Sequence, residues 1–443
     1  MCYAIPGRVK EIEGRKVTVD YFGQERNALN EIYGLRAGDY IYAQGGYVIN
    51  KIPEKEAQEI LSVWKETFFE LQEVDLKLSK LDLEAKKFDS RFSRILDRAM
   101  EGTAPSASEA LYLFNSANRE QDQYLYKAAN FLRQKYLKNS CCVHGILEIS
   151  NHCSLNCRYC GISKLNRNID RYRMSIQEVV EAAGLSIEKY GFKALVLQSG
   201  EDPGYGIEDL CYMIRTIKDK YPALIFISFG EVGLEGLEKL YEAGARGLLM
   251  RFETSNQQIY ENLHPGQQLS TRLLHLKKAY ELGYLILTGG LIGLPGQTRE
   301  DIINDLFLTK ELKAEMYSFG PFLPVPGTPL GAKEPIDKDL MLKVLSIARL
   351  IDPTEAKILI TTAFETLSKD ARRQGLMAGA NSVMLNVTPL KYRQQYAIYP
   401  DRAYQDELIQ VQIEDTLSLL RSLGRAPTDL GVVHEKQVFS QKK

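Results

Sequence analysis

The chain has 443 residues, too many for one small core at about 100–200 residues per domain, and its 56 Lys and Arg against 57 Asp and Glu leave a formal charge of −1. That balance excludes a dedicated binder of nucleic acid or anionic membrane, which carries a basic excess, while 44% apolar residues suffice for a packed core. No apolar run approaches the ~18 residues of a membrane span and no basic-then-apolar leader opens the chain, so a soluble cytoplasmic protein is expected.

Residues 1 to about 52 read as short strands broken at glycines: Gly7-Arg-Val-Lys-Glu-Ile, Arg15-Lys-Val-Thr-Val-Asp-Tyr and Asp39-Tyr-Ile-Tyr-Ala-Gln. They predict a compact all-β barrel. From Pro53 onward Ile60, Leu61, Trp64, Phe68 and Leu71 recur at spacings of one, three and four, which predicts a helix that completes a module over 1–72. The next stretch is about half charged, carries Leu76, Leu78, Leu81 and Leu83, and ends at a Gly-Thr-Ala-Pro break; it predicts a solvated, amphipathic helical linker over 73–104.

Over 105–430 apolar, β-branched runs recur at 145–150, 194–198, 224–229, 247–252, 285–294, 316–322, 357–361 and 382–387, ahead of a tail at 431–443. Amphipathic helical patterns separate them; the one at 175–190 opens on Ser175, three residues before Glu178, the signature of a capping box. Eight strand runs alternating with helices over about 245 residues predict an α/β fold of TIM-type, a (β/α)8 barrel rather than an open sheet. Polar residues follow the strand runs at Gln198-Ser-Gly-Glu-Asp, Gly230-Glu231 and Arg251-Phe-Glu-Thr-Ser-Asn, at the barrel mouth where this fold places chemistry.

Seven clustered cysteines do not make a disulfide scaffold, and the most specific run is Cys153-Ser-Leu-Asn-Cys157-Arg-Tyr-Cys160, just after the first barrel strand. Thiolates this close can converge on one soft metal centre. A [4Fe-4S] cluster usually takes four thiolates, so three leave one iron open to another ligand. A structural zinc site draws its ligands from two separated knuckles, and His152, beside Cys153, is poorly placed as a fourth. Zinc and three unrelated buried thiols are the competing readings.

This spacing, with Tyr159 before the last cysteine, resembles the radical S-adenosylmethionine (SAM) enzymes. Further runs tighten the resemblance: Glu148-Ile-Ser-Asn, Arg171-Tyr-Arg, Leu197-Gln-Ser-Gly-Glu-Asp, Leu263-His-Pro-Gly, Gly293-Leu-Pro-Gly-Gln-Thr and Ala378-Gly-Ala-Asn-Ser. Together they look like the HydE family, radical SAM maturases of [FeFe] hydrogenase related to biotin synthase and methylornithine synthase, over roughly residues 105–430. The resemblance implies that Cys153, Cys157 and Cys160 hold a [4Fe-4S] cluster whose open iron chelates SAM. One electron then yields methionine and a 5'-deoxyadenosyl radical. It further implies that Glu253 and Arg272 hold SAM, with Ser228 and Glu231 at the third-strand SAM motif and Arg251 and Ser255 as neighbours. The plainer readings are a surface charge for Arg272 and a helix N-terminal carboxylate for Glu231.

What the family implies beyond the site is a small organometallic or amino-acid-derived substrate, a reduced ferredoxin- or flavodoxin-type electron donor, and other hydrogenase maturation proteins as partners. The alternatives are an amino-acid mutase resembling methylornithine synthase and a non-catalytic iron-cofactor metallochaperone. No cysteine follows Cys211, so the second-cluster ligands of biotin synthase and of the tyrosine-cleaving relatives are missing, which disfavours sulfur insertion and tyrosine lysis. Cys141, Cys142 and Cys211 read as ordinary buried thiols.

The opening Met1-Cys2-Tyr-Ala-Ile-Pro-Gly-Arg-Val, with Gly38-Asp-Tyr-Ile-Tyr-Ala and Gly46-Tyr-Val-Ile, resembles the HypC/HupF family of small chaperones that carry an iron bearing CO and CN in [NiFe] hydrogenase maturation. In that family Cys2 supplies a thiolate and a later histidine is its partner. Here Gln44 stands where that histidine is expected, and a carboxamide is a poor iron ligand. Iron carriage by Cys2 and a docking-only role both stay open. The fusion suggests that the small barrel exchanges an intermediate at the mouth of the large one.

Overall fold

The structure, a computed structural model, describes residues 4–81 and 88–431. Cys2 and the tail beyond 431 lie outside the described residues, as does Leu83. Five strands, β1 (Gly7–Glu13), β2 (Lys16–Tyr21), β3 (Gln24–Leu29), β4 (Tyr40–Gln44) and β5 (Tyr47–Ile52), close a small barrel in the order β1-β2-β3-β5-β4. Val9, Val17, Val19, Ile41, Ala43 and Val48 fill its interior, as period-2 alternation requires.

The opposite face of β4 and β5 is apolar too. Tyr42, Tyr47, Ile49 and Ile52 join a second cluster with Ala194, Leu224, Phe226 and Leu287, which line the inside of the large barrel. Gly45, at the hairpin tip, comes so close that a Cβ there would sit 2.7 Å from Leu224 and 2.9 Å from Leu285. Tyr47 Oη donates to Gly283 O at 3.0 Å, and Arg246 pairs with Glu31 at 2.9 Å. The small barrel therefore seals the floor of the large one, at the N-terminal ends of its strands. This corrects the expectation that it sits at the mouth: a hairpin apolar on both faces has to be covered on both.

The linker expectation also fails. Helix α1 (Glu54–Ser79) runs unbroken through the boundary at 72, and its Asp75 is buried against Arg133 at 2.7 Å and Arg425 at 3.2 Å. Asp89 caps α2 (Ser90–Met100), whose Phe92, Ile95, Leu96 and Ala99 form one helical face packed into the main core beside α3 (Ala107–Phe114) and α4 (Arg119–Leu137). High charge density described only the outer face of these helices.

The large barrel starts with β6 (Ser140–Ser150) and continues through β7 (Ala194–Ser199), β8 (Leu224–Ser228), β9 (Gly247–Leu249) and β10 (Leu285–Thr288). Strand β11 (Leu291–Ile292) extends β10 and pairs with β13 (Gly320–Pro321), which extends β12 (Met316–Tyr317). Strands β14 (Lys357–Ile360) and β15 (Ser382–Asn386) complete the circle, and β15 pairs with β6 from Ser382↔Cys142 to Asn386↔Ile146. All pairings around the ring are parallel. Each of the eight runs read from the sequence forms a barrel strand, and Ser175 and Glu178 form the expected capping box. A last short strand, β16 (Ala426–Pro427), adds to the start of β6.

Candidate active site

The strands deliver their C-terminal ends to a cavity of about 310 Å³ at the barrel mouth. Its wall carries Cys153, Cys157 and Cys160, together with Ser228, Arg251, Glu253 and Arg272 from the later strands and the helix Leu269–Leu282; Ile146, Leu249, Leu359 and Met384 give it an apolar lining.

The cysteine loop is held by its own backbone. Arg171 spreads its guanidinium over four carbonyls, those of Asn151 (2.5 Å), Ile162 (2.8 Å), Ser163 (2.7 Å) and Asn166 (3.0 Å). Asn151 is fully buried, accepts from Tyr172 N at 2.7 Å and donates to Asp170 O and Gln395 O. Beneath the loop, Gly200 leaves no room for a side chain: a Cβ would lie 2.4 Å from His152 O and 2.7 Å from Cys153 Cβ. Burial pushes the Cys157 thiol up and the Cys160 thiol up to about 12, and the neighbouring cysteines add to both shifts. Three such thiols repel one another once ionised; a shared cationic centre is what makes them good thiolates together.

Opposite the thiols, Glu253 occupies a left-handed backbone conformation, φ 68°, held by Glu253 N to Gly289 O at 3.1 Å and Leu291 N to Glu253 O at 2.9 Å. A non-glycine residue in that region is strained by about 1–3 kcal/mol and marks a functional site when its surroundings over-determine it. Its Oε1 lies 3.3 Å from Arg251 Nε and accepts from Tyr159 Oη at 3.3 Å. Its buried Oε2 has no hydrogen-bond partner among the described residues. A buried carboxylate oxygen left bare is costly unless a ligand donates to it.

Arg272 is 9% exposed, which rules out the surface-charge reading, and pairs with Glu231 at 2.8 Å. Glu231 N in turn donates to Glu201 Oε1 at 2.9 Å. Glu231 itself faces a neighbouring recess rather than the main cavity. Ser255 is a correction: it does not line the cavity, because its N and Oγ both donate to Asp305 Oδ1, at 2.5 and 2.6 Å. That carboxyl is pushed up to about 7 by burial, against the pull of the Ser255 hydrogen bonds.

The sequence reading gave no role to the wall built by the end of β6 and the segment 396–402. Glu148 and Arg402 form a buried ion pair there, Asn386 Nδ2 donates to Glu148 Oε2 at 2.9 Å, and Tyr396 and Tyr399 close the side. Glu201, one of the polar residues expected at the barrel mouth, also lines the cavity, and its carbonyl accepts from Ser154 N at 2.9 Å. A signal existed for Glu148 too, which interrupts an apolar strand run.

His264 accompanies Tyr159, with Nε2 at 3.2 Å from its hydroxyl and Nδ1 at 2.9 Å from Tyr260 O. Burial, then Arg272, drives its pKa down from 6.5 to about 4, so the ring is neutral at pH 7; Nδ1–H donates to Tyr260 O, which leaves Nε2 an acceptor that competes with Glu253 Oε1 for the one Tyr159 hydroxyl proton. Because the folded value is depressed, the stability it contributes is present above pH 6.5 and is lost as pH falls towards 4. Urea unfolding of the apoprotein followed against pH should differ between wild type and His264→Asn by about 3 kcal/mol across that window, a difference in which the opposite contribution of Asp305 cancels.

A closed parallel eight-stranded barrel whose first βα loop gathers three cysteines at the mouth defines the radical SAM class. The profile of the radical SAM superfamily matches residues 147–308, that of the biotin and thiamin synthesis associated domain residues 318–422, and that of the HupF/HypC family residues 1–64. The [FeFe] hydrogenase maturase subunit HydE of Thermotoga maritima is 38% identical over 70% of this chain and 88% of its own. The 3-methylornithine synthase of Methanosarcina acetivorans is 29% identical over 75% and 93%. Among solved structures, methylornithine synthase superposes with a TM-score of 0.67 at 26% identity, covering 75% of this chain and 97% of its own. HydG from Carboxydothermus hydrogenoformans superposes at 0.65 with 20% identity over 86% of each chain, a likeness of fold.

The chain belongs to the HydE family of radical SAM maturases. It is thus a radical SAM enzyme, with a [4Fe-4S] cluster and SAM as cofactors. The residues present fit both groups: three thiols share one wall, Glu253 offers a bare acceptor, and Gly200 keeps the loop's underside clear. No helix among the described residues is long and apolar enough to cross a membrane.

Proposed function

We propose that this enzyme cleaves SAM reductively in the mouth cavity and acts there on a small thiolate-bound iron precursor of a hydrogenase cofactor. Cys153, Cys157 and Cys160 hold the cluster, which when bound supplies the electron for that cleavage. The observation that carries the reading is the convergence of those thiols with Ser228, Arg251, Glu253 and Arg272 on one cavity.

The chain's own groups then divide the work. Glu253 Oε2 accepts from an amino or hydroxyl group of SAM, and Arg251 sets a guanidinium against its carboxylate. Arg272, fixed by Glu231, braces the third-strand end carrying Ser228. The loop bearing Tyr396, Tyr399 and Arg402 packs on the cysteine loop, with Gly161 N donating to Ile398 O at 2.9 Å, and keeps water from a reactive carbon radical. The electron comes from a reduced ferredoxin- or flavodoxin-type donor, and other maturation proteins supply and collect the iron species.

The small barrel supports a docking role. Gln44, standing where its family's histidine is expected, is fully buried and both amide atoms lack hydrogen-bond partners among the described residues, so that position is closed to an exposed cargo. A second reading, an amino-acid mutase, rests on the 0.67 superposition with methylornithine synthase.

Anaerobic reconstitution with iron and sulfide, followed by dithionite and SAM, should release 5'-deoxyadenosine. Adding a cysteine-bound iron carbonyl cyanide should raise that release more than free amino acids do. Stimulation by a free amino acid alone would favour the mutase, and no product at all would leave a metallochaperone.

A further inference from the structure

A second set of metal-ligating side chains lies at the other end of the barrel. One donor atom from each of Cys142, His144 and Asp429 lies within 4.8 Å of the others, and all three residues are buried. Cys142 and His144 are two apart on β6, so both face the barrel interior. Asp429 arrives on the segment that follows β16, which pairs with the start of β6 at Ala426↔Ser140 and Pro427↔Cys141.

That segment is fixed on both sides: Thr428 N donates to Cys141 O at 2.9 Å, and Lys193 N donates to Asp429 O at 2.7 Å. Thr428 Oγ1 also donates to Asp429 Oδ2 at 2.6 Å, orienting the carboxylate as an outer-shell partner does in metal sites. His144 Nε2 stands 3.3 Å from Asp429 Oδ2. Ligand atoms about 2.0–2.3 Å from a tetrahedral ion lie roughly 3.3–3.8 Å apart, so the pair already has the edge length such an ion requires. The His144 ring stacks on Phe226 at 5.1 Å, and its Nδ1 has no partner among the described residues. Lys357, a buried cation close enough to act on Cys142 and Asp429 as well, pairs with Glu315.

We propose that Cys142, His144 and Asp429 form a second metal site, separate from the cysteine loop, that takes one divalent ion of the zinc or iron(II) class. A mixed sulfur, nitrogen and oxygen donor set suits these borderline ions. Binding forms a metal–sulfur bond and releases the thiol proton of Cys142 to solvent; thiolate and carboxylate together balance the two positive charges. Three protein ligands leave one tetrahedral position for a small ligand. The ion ties the C-terminal segment to the first barrel strand, beside the seam with the small barrel.

The test uses the full chain with its cluster loaded, given one equivalent of zinc chloride anaerobically and then desalted. One zinc per chain should remain beyond the iron. Its X-ray absorption fine structure should show a single sulfur at about 2.3 Å with nitrogen or oxygen neighbours. Cys142→Ser and His144→Gln should each cut retained zinc at least about tenfold, in the range set by removing a ligand or its support, with iron content unchanged. No retained zinc, equal retention in both variants, or a shell of two or three sulfurs would overturn the site; the last assigns the ion to the cysteine loop. If a variant does not fold, the wild-type absorption spectrum decides by itself.

Discussion

Cys157→Ala is expected to abolish the visible absorption of the reconstituted cluster and, with it, release of 5'-deoxyadenosine. On the ligand set proposed above, the variant keeps two thiolates for a cluster whose fourth iron would take SAM, too few to hold it. Gly200→Ala should produce much of the same loss without touching a ligand. The new methyl would need the space now held by His152 O and Cys153 Cβ, at 2.4 and 2.7 Å, and one of those contacts is backbone. The loop must therefore move, and Arg171, anchored to four of its carbonyls, opposes any movement. Cluster affinity should fall about 10–100-fold, the range for groups that orient metal ligands. Iron per chain and the electron paramagnetic resonance of the dithionite-reduced protein report both variants. Full iron loading in Cys157→Ala would remove that thiol from the ligand set.

Asp75→Ala should destabilise the fold by about 3–5 kcal/mol, because it strips the counter-charge from a buried cluster. Asp75 takes Arg133 by two 2.7 Å hydrogen bonds and Arg425 at 3.2 Å, and all three side chains are 0–1% exposed. Burial, with Arg133 close by, already drives the Arg425 guanidinium down to about 9. Without the carboxylate two cations share a dry site and keep neutral acceptors, Asn130 Oδ1 accepting from both and Lys138 O and Leu376 O from one each. Asp75→Asn keeps an acceptor and should cost less. Urea midpoints of the apoproteins measure the difference; a loss under about 1 kcal/mol would place the node among weak surface pairs.

Strands and cluster loop were legible in the sequence because both are local. Each barrel strand is a β-branched run bounded by turns, and the three cysteines lie within eight residues. Arg272 and Glu231 were legible as residues, but not as a pair, since a charge on a helix and a charge after a strand carry no sign of facing each other. Ser255 failed for a related reason. Sequence adjacency to Glu253 says nothing of direction, and a strained φ at Glu253 turns the chain so that Ser255 points to Asp305. The floor seal was hidden in plain alternation: Ile41, Ala43 and Val48 explain the small barrel, leaving Tyr42, Tyr47 and Ile49 as an unread second apolar face. Asp75 was lost among the charges around it.

The seal under the barrel also sets an order of events during synthesis. Tyr47 finds its partner Gly283 only 236 residues later. At about 5–20 residues per second that is roughly 10–50 s of translation, during which the small barrel has emerged and its tyrosine face has nothing to cover it. The nascent chain thus carries a sticky patch through most of its birth, and a chaperone that shields β4 and β5 would act in just that interval.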